Sequence, residues 1–159
     1  MSMLQKFRSD GGFRQLVRLI ELCEPHRQRT LMDAVRSEDP GWAQLIRIKM
    51  LSVERILTWP ENTLRKILNT APTHIVVPIY HSCPDKFKSV IANGLGEQTV
   101  AEVEVLCREK VIDEHEVFAA RLGLIQMVRE MEHSGAIDFM ECDPTLVIDE
   151  NSDSQKRVA

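Results

Sequence analysis

The chain has 159 residues, 43% hydrophobic but only 5% aromatic, enough apolar mass for one domain or two small ones with a real core. The formal charge of −4 sits in the last stretch: residues 138–159 hold Asp138, Glu141, Asp143, Asp149, Glu150 and Asp153 against Lys156 and Arg157, and the near-neutral body interleaves its Arg and Lys with acids. This excludes the basic stripe a nucleic-acid binder needs, the sequence has no run of about 18 apolar residues to span a membrane, and Met1–Asp10 has no apolar signal core, so a cytoplasmic protein is expected.

Residues 1–10 are polar and are expected to be flexible. From Phe13 to Cys23 the apolar residues Phe13, Leu16, Val17, Leu19 and Ile20 make one helical stripe. Pro25 starts a second helix that runs to about Ser37, with Leu31, Met32 and Val35 inward. Asp39 is an N-cap and Pro40 stands at the first helical position, where its missing N–H is not needed. They open a long helix to about Thr58 that stops at the Trp59-Pro60 step.

Pro60, Pro72 and Pro84 recur every twelve residues, each starting a new short helix. The stretch Thr73–Tyr80 is rich in β-branched residues and contains Pro78, so local propensity favours a strand. No partner strand is in prospect, and a short or distorted helix is expected. After the break at Gly94–Gly96 a helix runs from Glu97 to about Lys110. The last helix has Asp113 as N-cap with Glu116 three residues on, a capping-box arrangement, and Gly135 as terminator. Its stripe is Val117, Leu124, Val128 and Met131, widened by Leu122 and Ile125. In the acidic tail, 138–159, only Thr145–Ile148 has the character to order, and the rest is expected to be disordered.

Few titratable groups converge. The four cysteines Cys23, Cys83, Cys107 and Cys142 are irregularly spaced without a C-x-x-C, so neither a disulfide framework nor a full metal site is expected; Cys23 and His26 make only half of one. Pro78 separates His74 from His81. Glu114-His115-Glu116 suits a helix N-terminus, and Gly94-Leu95-Gly96 lacks the Lys and Ser/Thr of a phosphate loop. The expectation is a non-enzyme with no cofactor.

A series of short motifs nevertheless has a recognisable order. Gly11-Gly12 precedes Phe13–Ile20, Leu31–Pro40 forms a helix junction, Met50-Leu51-Ser52-Val53-Glu54 stands where an M-F-x-F-E would, Leu64–Leu68 sits for I-Q-(R/K)-L-L, and Met127–Ile137 for I-V-R-x-L-x-x-x-G-x-I. This order resembles the C-terminal half of the flagellar motor switch family FliG over about four fifths of the chain. The resemblance implies an all-α fold: an armadillo-like helical layer from about 11 to 52, then a six-helix C-terminal bundle from about 53 to 137. Met50, Leu51, Ser52 and Val53 would form the hinge between them.

The resemblance also implies function by protein–protein binding, as a switch or rotor component at the cytoplasmic face of the flagellar basal body. An apolar stripe of Leu16, Leu19, Ile20, Leu31 and Val35 would dock on a FliG middle domain or a second copy, with FliM or a stator protein as further partners and no nucleic acid or membrane insertion. The alternative is a helical adaptor derived from the family and working outside the motor. The family's charged ridge maps onto His81, Glu97, Glu102, Glu104, Arg108 and Asp113. The family's lysine falls at Tyr80 or His81, and among its ridge charges only Glu104 keeps its sign, so these positions do not imply torque generation. The family's E-H-P-Q motif is not found in this sequence.

Overall fold

Prolines and caps cut the chain into short helices in the computed structural model, which describes residues 2–149. In chain order these are α1 (Gly12–Glu21), α2 (Pro25–Glu38), α3 (Pro40–Lys49), α4 (Val53–Ile56), α5 (Glu61–Thr70), α6 (Thr73–Ser82), α7 (Asp85–Leu95), α8 (Glu97–Glu109), α9 (Glu114–His133) and α10 (Phe139–Cys142). Single 3-10 turns lie at Gln5–Phe7 and Pro144–Leu146, and the described residues contain no strand. The fold is all-α. Two compact units divide it, one made of residues 2–51 and 143–149 and the other of Ser52–Cys142.

The first unit closes around Phe13, Leu16, Val17 and Ile20 of α1, Met32 and Val35 of α2, and Trp42 and Ile46 of α3. Phe13 meets Trp42 edge-on, with ring centroids 5.3 Å apart. Asp39 caps α3 by accepting the Trp42 N–H at 3.0 Å. Although buried, its carboxylate keeps a counterion in Arg8 at 2.7 Å, whose guanidinium lies 3.9 Å above the Trp42 ring.

The expected flexibility of residues 1–10 is corrected here. Leu4 is fully buried and Phe7 nearly so, both in the core of this unit. Glu38 fastens the segment, accepting from Ser2 Oγ at 2.5 Å and from the Met3 and Leu4 amides at 2.7 and 3.1 Å. The Gly11-Gly12 pair makes the return possible. Gly11 takes a left-handed φ of 76°, and a Cβ on Gly12 would lie 2.2 Å from the Phe7 carbonyl oxygen.

The expected disorder of the acidic tail is corrected for residues 138–144, where Phe139–Cys142 form α10 and Phe139 is buried, while the stretch expected to order, Thr145–Ile148, packs on the first unit. Leu146 is buried, Ile148 packs against the first unit's core, and Lys49 Nζ donates to the Val147 carbonyl at 2.5 Å. Burial of its apolar residues orders the Thr145–Ile148 stretch despite the acids beside it. Residues 150–159 of that expectation lie outside the described residues. The long helix expected from Pro40 to Thr58 is also two helices. Met50 is extended, and the Leu51 N–H leaves the helical ladder to donate to the buried carboxylate of Glu21 at 2.7 Å.

In the second unit α6 is the central element. Ile75 to Tyr80 are buried without interruption, and α7, α8 and α9 pack on it. The β-branched run with Pro78 inside is therefore an α-helix, because burial on every side outweighs local preference. α5 packs on α7 so closely that a Cβ on Gly94 would lie 2.4 Å from Leu68 Cδ1. α9 starts at Asp113, which accepts the Glu116 N–H at 2.8 Å, while the Glu116 carboxylate turns to Lys110 at 3.1 Å. α9 ends in a Schellman motif: Gly135 has φ 82°, its N–H reaches the Glu132 carbonyl at 3.1 Å, and the Ala136 N–H reaches that of Met131 at 2.8 Å. Glu54 and Arg121 form an ion pair that ties the start of α4 to α9.

The placement of the N-terminal segment makes a direct prediction. Leu4→Ala should destabilise the first unit by about 2–4 kcal/mol, as for a buried leucine. Denaturant unfolding followed by Trp42 fluorescence in a Trp59→Phe background reads this, and an unchanged midpoint would mean the segment is not part of the core.

Candidate partner-binding surfaces

The five residues of the expected docking stripe do not share one exposed face. Leu16, Ile20 and Val35 are buried in the first unit's own core, at 1%, 0% and 0% exposure. Leu31 is half-buried against that core. Only Leu19 is open, at 46%. The reason is helical geometry: Leu16 and Ile20 lie four apart and face inward together, whereas Leu19 stands about 100° round the helix from Ile20. Leu22, three residues on and 36% exposed, extends the Leu19 shoulder instead. What α1 offers a partner is therefore Leu19 with Leu22.

The segment Met50–Val53 coincides with the boundary between the two units, which falls after Leu51. On one side Leu51 is held by Glu21; on the other, Ser52 caps α4 by accepting the Arg55 N–H at 3.2 Å. Leu51 and Val53 are both buried.

The ridge residues are exposed but do not form one row. On α8, Glu97, Glu104 and Arg108 recur at spacings of seven and four and share a face, whereas Glu102 is turned about 140° from Glu97. His81 is exposed near the end of α6, and Asp113 is engaged as the α9 cap. Glu104 is engaged too: it accepts the Tyr80 hydroxyl at 3.0 Å. Lys88 Nζ sits 5.7 Å from the centre of the same ring. Burial, then the hydrogen bond and the charge of Glu104, push the Tyr80 phenol above its ordinary pKa. Burial also raises the Cys83 and Cys107 thiols, which keeps both protonated.

A surface that the sequence reading missed lies between α6, α8 and α9. It is an open cleft of about 860 Å3, lined by Ile75, Val77 and Pro78 of α6, Leu106 of α8, Ile112 of the connector, and Ala119, Ala120 and Gly123 of α9, with Thr73, His74, Lys110 and Glu116 as its charged or polar members. Its signal was available in Ile112, an apolar residue between the end of α8 and the Asp113 cap that belongs to neither helical stripe. Among the described residues no three His, Cys, Asp or Glu side chains come together as a metal site would require. No helix among them is long and apolar enough to cross a membrane.

The family model for the FliG C-terminal domain matches residues 33–139, well over half of the chain. The chain belongs to the FliG C-terminal domain family. It is 20% identical over 137 residues to the flagellar motor switch protein FliG of Bacillus subtilis (strain 168), a match covering 84% of this chain and 40% of that protein. A crystal structure of a FliG fragment from H. pylori superposes with a TM-score of 0.53 at 18% identity, over 82% of this chain and 58% of that one. The chain thus spans about two fifths of the B. subtilis protein and under two thirds of the H. pylori fragment, and the structural likeness bears on the fold.

Within this FliG-type unit the contact between Tyr80 and Glu104 is directly measurable, because Tyr80 is the sole tyrosine. Ultraviolet titration should show the phenolate forming above the range of free tyrosine. Glu104→Gln should bring it part of the way down, since burial, the largest cause, remains. A phenol that titrates normally in the folded wild type would contradict the buried, hydrogen-bonded placement.

Proposed function

We propose that this chain is a FliG-type motor switch component that works by binding other proteins at the cytoplasmic face of the flagellar basal body. The observation that carries the reading is the FliG C-terminal domain match across residues 33–139, which draws on both compact units. The B. subtilis relative bears the name of a flagellar motor switch protein, which supports the same reading.

The partner this reading favours is the middle domain of a FliG, met through the exposed shoulder of α1. Apolar area removed from water there contributes about 25 cal/mol per Å2 before association costs are subtracted. Charges on α8 are solvated, and an exposed pair contributes about 1 kcal/mol or less. Apolar docking therefore outranks the ridge, and contacts with FliM or a stator protein are secondary to it.

In a pull-down with a FliG middle domain, Leu19→Asp should weaken binding at least about tenfold by placing an unpaired charge in the contact. Glu104→Lys should change it less than about threefold. Leu19 is exposed, so both variants should fold, which circular dichroism checks. Loss of binding with Glu104→Lys and none with Leu19→Asp would make the charged ridge the working surface. No capture by the wild type would end the switch reading in favour of a helical adaptor outside the motor.

The same reading takes Met50–Val53 as a hinge between the two units, with Ser52 in place of the family's apolar residue. Solution scattering should then require more than one arrangement of two rigid units. A profile fitted by a single fixed arrangement, unchanged on Ser52→Phe, would count against the hinge.

A further inference from the structure

Helix α6 leaves one backbone acceptor without its helical donor. In an α-helix the carbonyl of residue i points at the N–H of residue i+4, and four residues after His74 stands Pro78, inside the helix and without an N–H. The proline ring also crowds that carbonyl away from the helix axis. His74, Val77 and Pro78 all line the cleft between α6, α8 and α9, so the acceptor borders the cleft. The α9 side of the cleft is flat. Ala119, Ala120 and Gly123 carry nothing beyond a Cβ, and at Gly123 α9 comes so near α6 that a Cβ there would lie 3.0 Å from Ile75 Cδ1.

We propose that the cleft is a binding site for a small, uncharged aromatic molecule with one hydrogen-bond donor, which lays its ring against the small residues of α9 and donates to the His74 carbonyl. Each property of the ligand answers a feature of the site. The cleft volume of about 860 Å3 lies within the range of about 300–1,000 Å3 usual for small-molecule sites. Its apolar walls take the ring out of water, and the flat α9 side suits a planar ring better than a branched chain. An acceptor on an apolar wall calls for a donor, because an occupant without one would strip the carbonyl of water and leave it unpaired. Charge argues for a neutral molecule. Lys110 and Glu116 neutralise each other at 3.1 Å, and the His74 side chain is exposed, so the cleft holds no buried charge for an ion to answer.

The site lies in the second unit and does not rest on the switch reading, which uses α1. Indole supplies the ring and the donor, and N-methylindole is the same ring with the donor blocked. Titration of the full chain with each, followed by amide NMR shifts, should give saturable changes centred on Ala119, Ala120 and Gly123. N-methylindole should bind at least about threefold more weakly, the loss of one neutral hydrogen bond. Ala119→Leu, at an exposed position, should weaken indole at least about fivefold by filling the flat side. Pro78→Ala returns an N–H to the His74 carbonyl and suits a helix interior, so it should bring the two probes to equal affinity. Equal binding of the two probes to the wild type overturns the proposal. So does a preference for indole that survives Pro78→Ala, or shifts that are scattered over the surface or absent up to the solubility limit of indole. Leu19→Asp should leave indole binding unchanged, so a failure here and a failure of middle-domain capture are read separately.

Discussion

Six consecutive residues of α6, Ile75 to Tyr80, are buried, so the middle of this helix has no solvent face and the second unit is organised around covering it. Local energetics run the other way. β-branched residues cost a few tenths of a kcal/mol each in a helix, and an interior proline costs about 3 kcal/mol. Burying Ile75, Val76, Val77 and Ile79 returns about 1.5–3 kcal/mol each, about 6–12 kcal/mol together, which exceeds the local cost. α7, α8 and α9 supply the cover. The open cleft arises where that cover thins, at the N-terminal half of α6, over the small residues of α9.

The first unit solves a different problem, which is keeping buried carboxylates paired. Glu21 and Asp39 are both buried, and each is placed where backbone N–H groups need an acceptor: Glu21 takes the Leu51 amide after α3 has ended, and Asp39 takes that of Trp42 as α3 begins. α3 is thus bracketed by two acids, each satisfying a donor that the helical ladder leaves over. Neighbouring Glu38 does the same for the Met3 and Leu4 amides. The Ser2 hydroxyl first, then those amides, hold its carboxyl below the ordinary carboxylate value. Adjacent acids at the end of α2 therefore fasten the chain's first turn to the unit.

Helix boundaries were legible because they are written in local chemistry. Asp39-Pro40, Asp113 and Gly135 act through their own backbone neighbours, and the structure places caps and a terminator at those residues. What was not legible depends on contacts distant in sequence. Leu16 and Leu19 look equivalent in a hydrophobic stripe, yet one lies at 1% and the other at 46% exposure, because the width of the stripe that α2 and α3 cover is not a property of α1. The polar start of the chain hides Leu4 and Phe7, whose burial depends on Glu38 more than thirty residues away. Pro40–Thr58 reads as one helix until Glu21, an acid on another helix, draws the Leu51 amide out of the ladder.

The proposed binding role requires contact surfaces that stay soluble when empty, and the two units meet this differently. α1 turns its apolar stripe inward and leaves only a shoulder, too small to drive aggregation but placed at one helix end where a partner helix can reach it. The second unit instead keeps an open apolar cleft, in which α9 contributes only small residues, and sets the Lys110–Glu116 pair beside it. The charges of α8 contribute to solubility in both states. Tyr80 takes one acceptor site of the exposed Glu104 carboxylate, which has several, so in the proposed contact this acid can accept from a partner while keeping its bond to Tyr80.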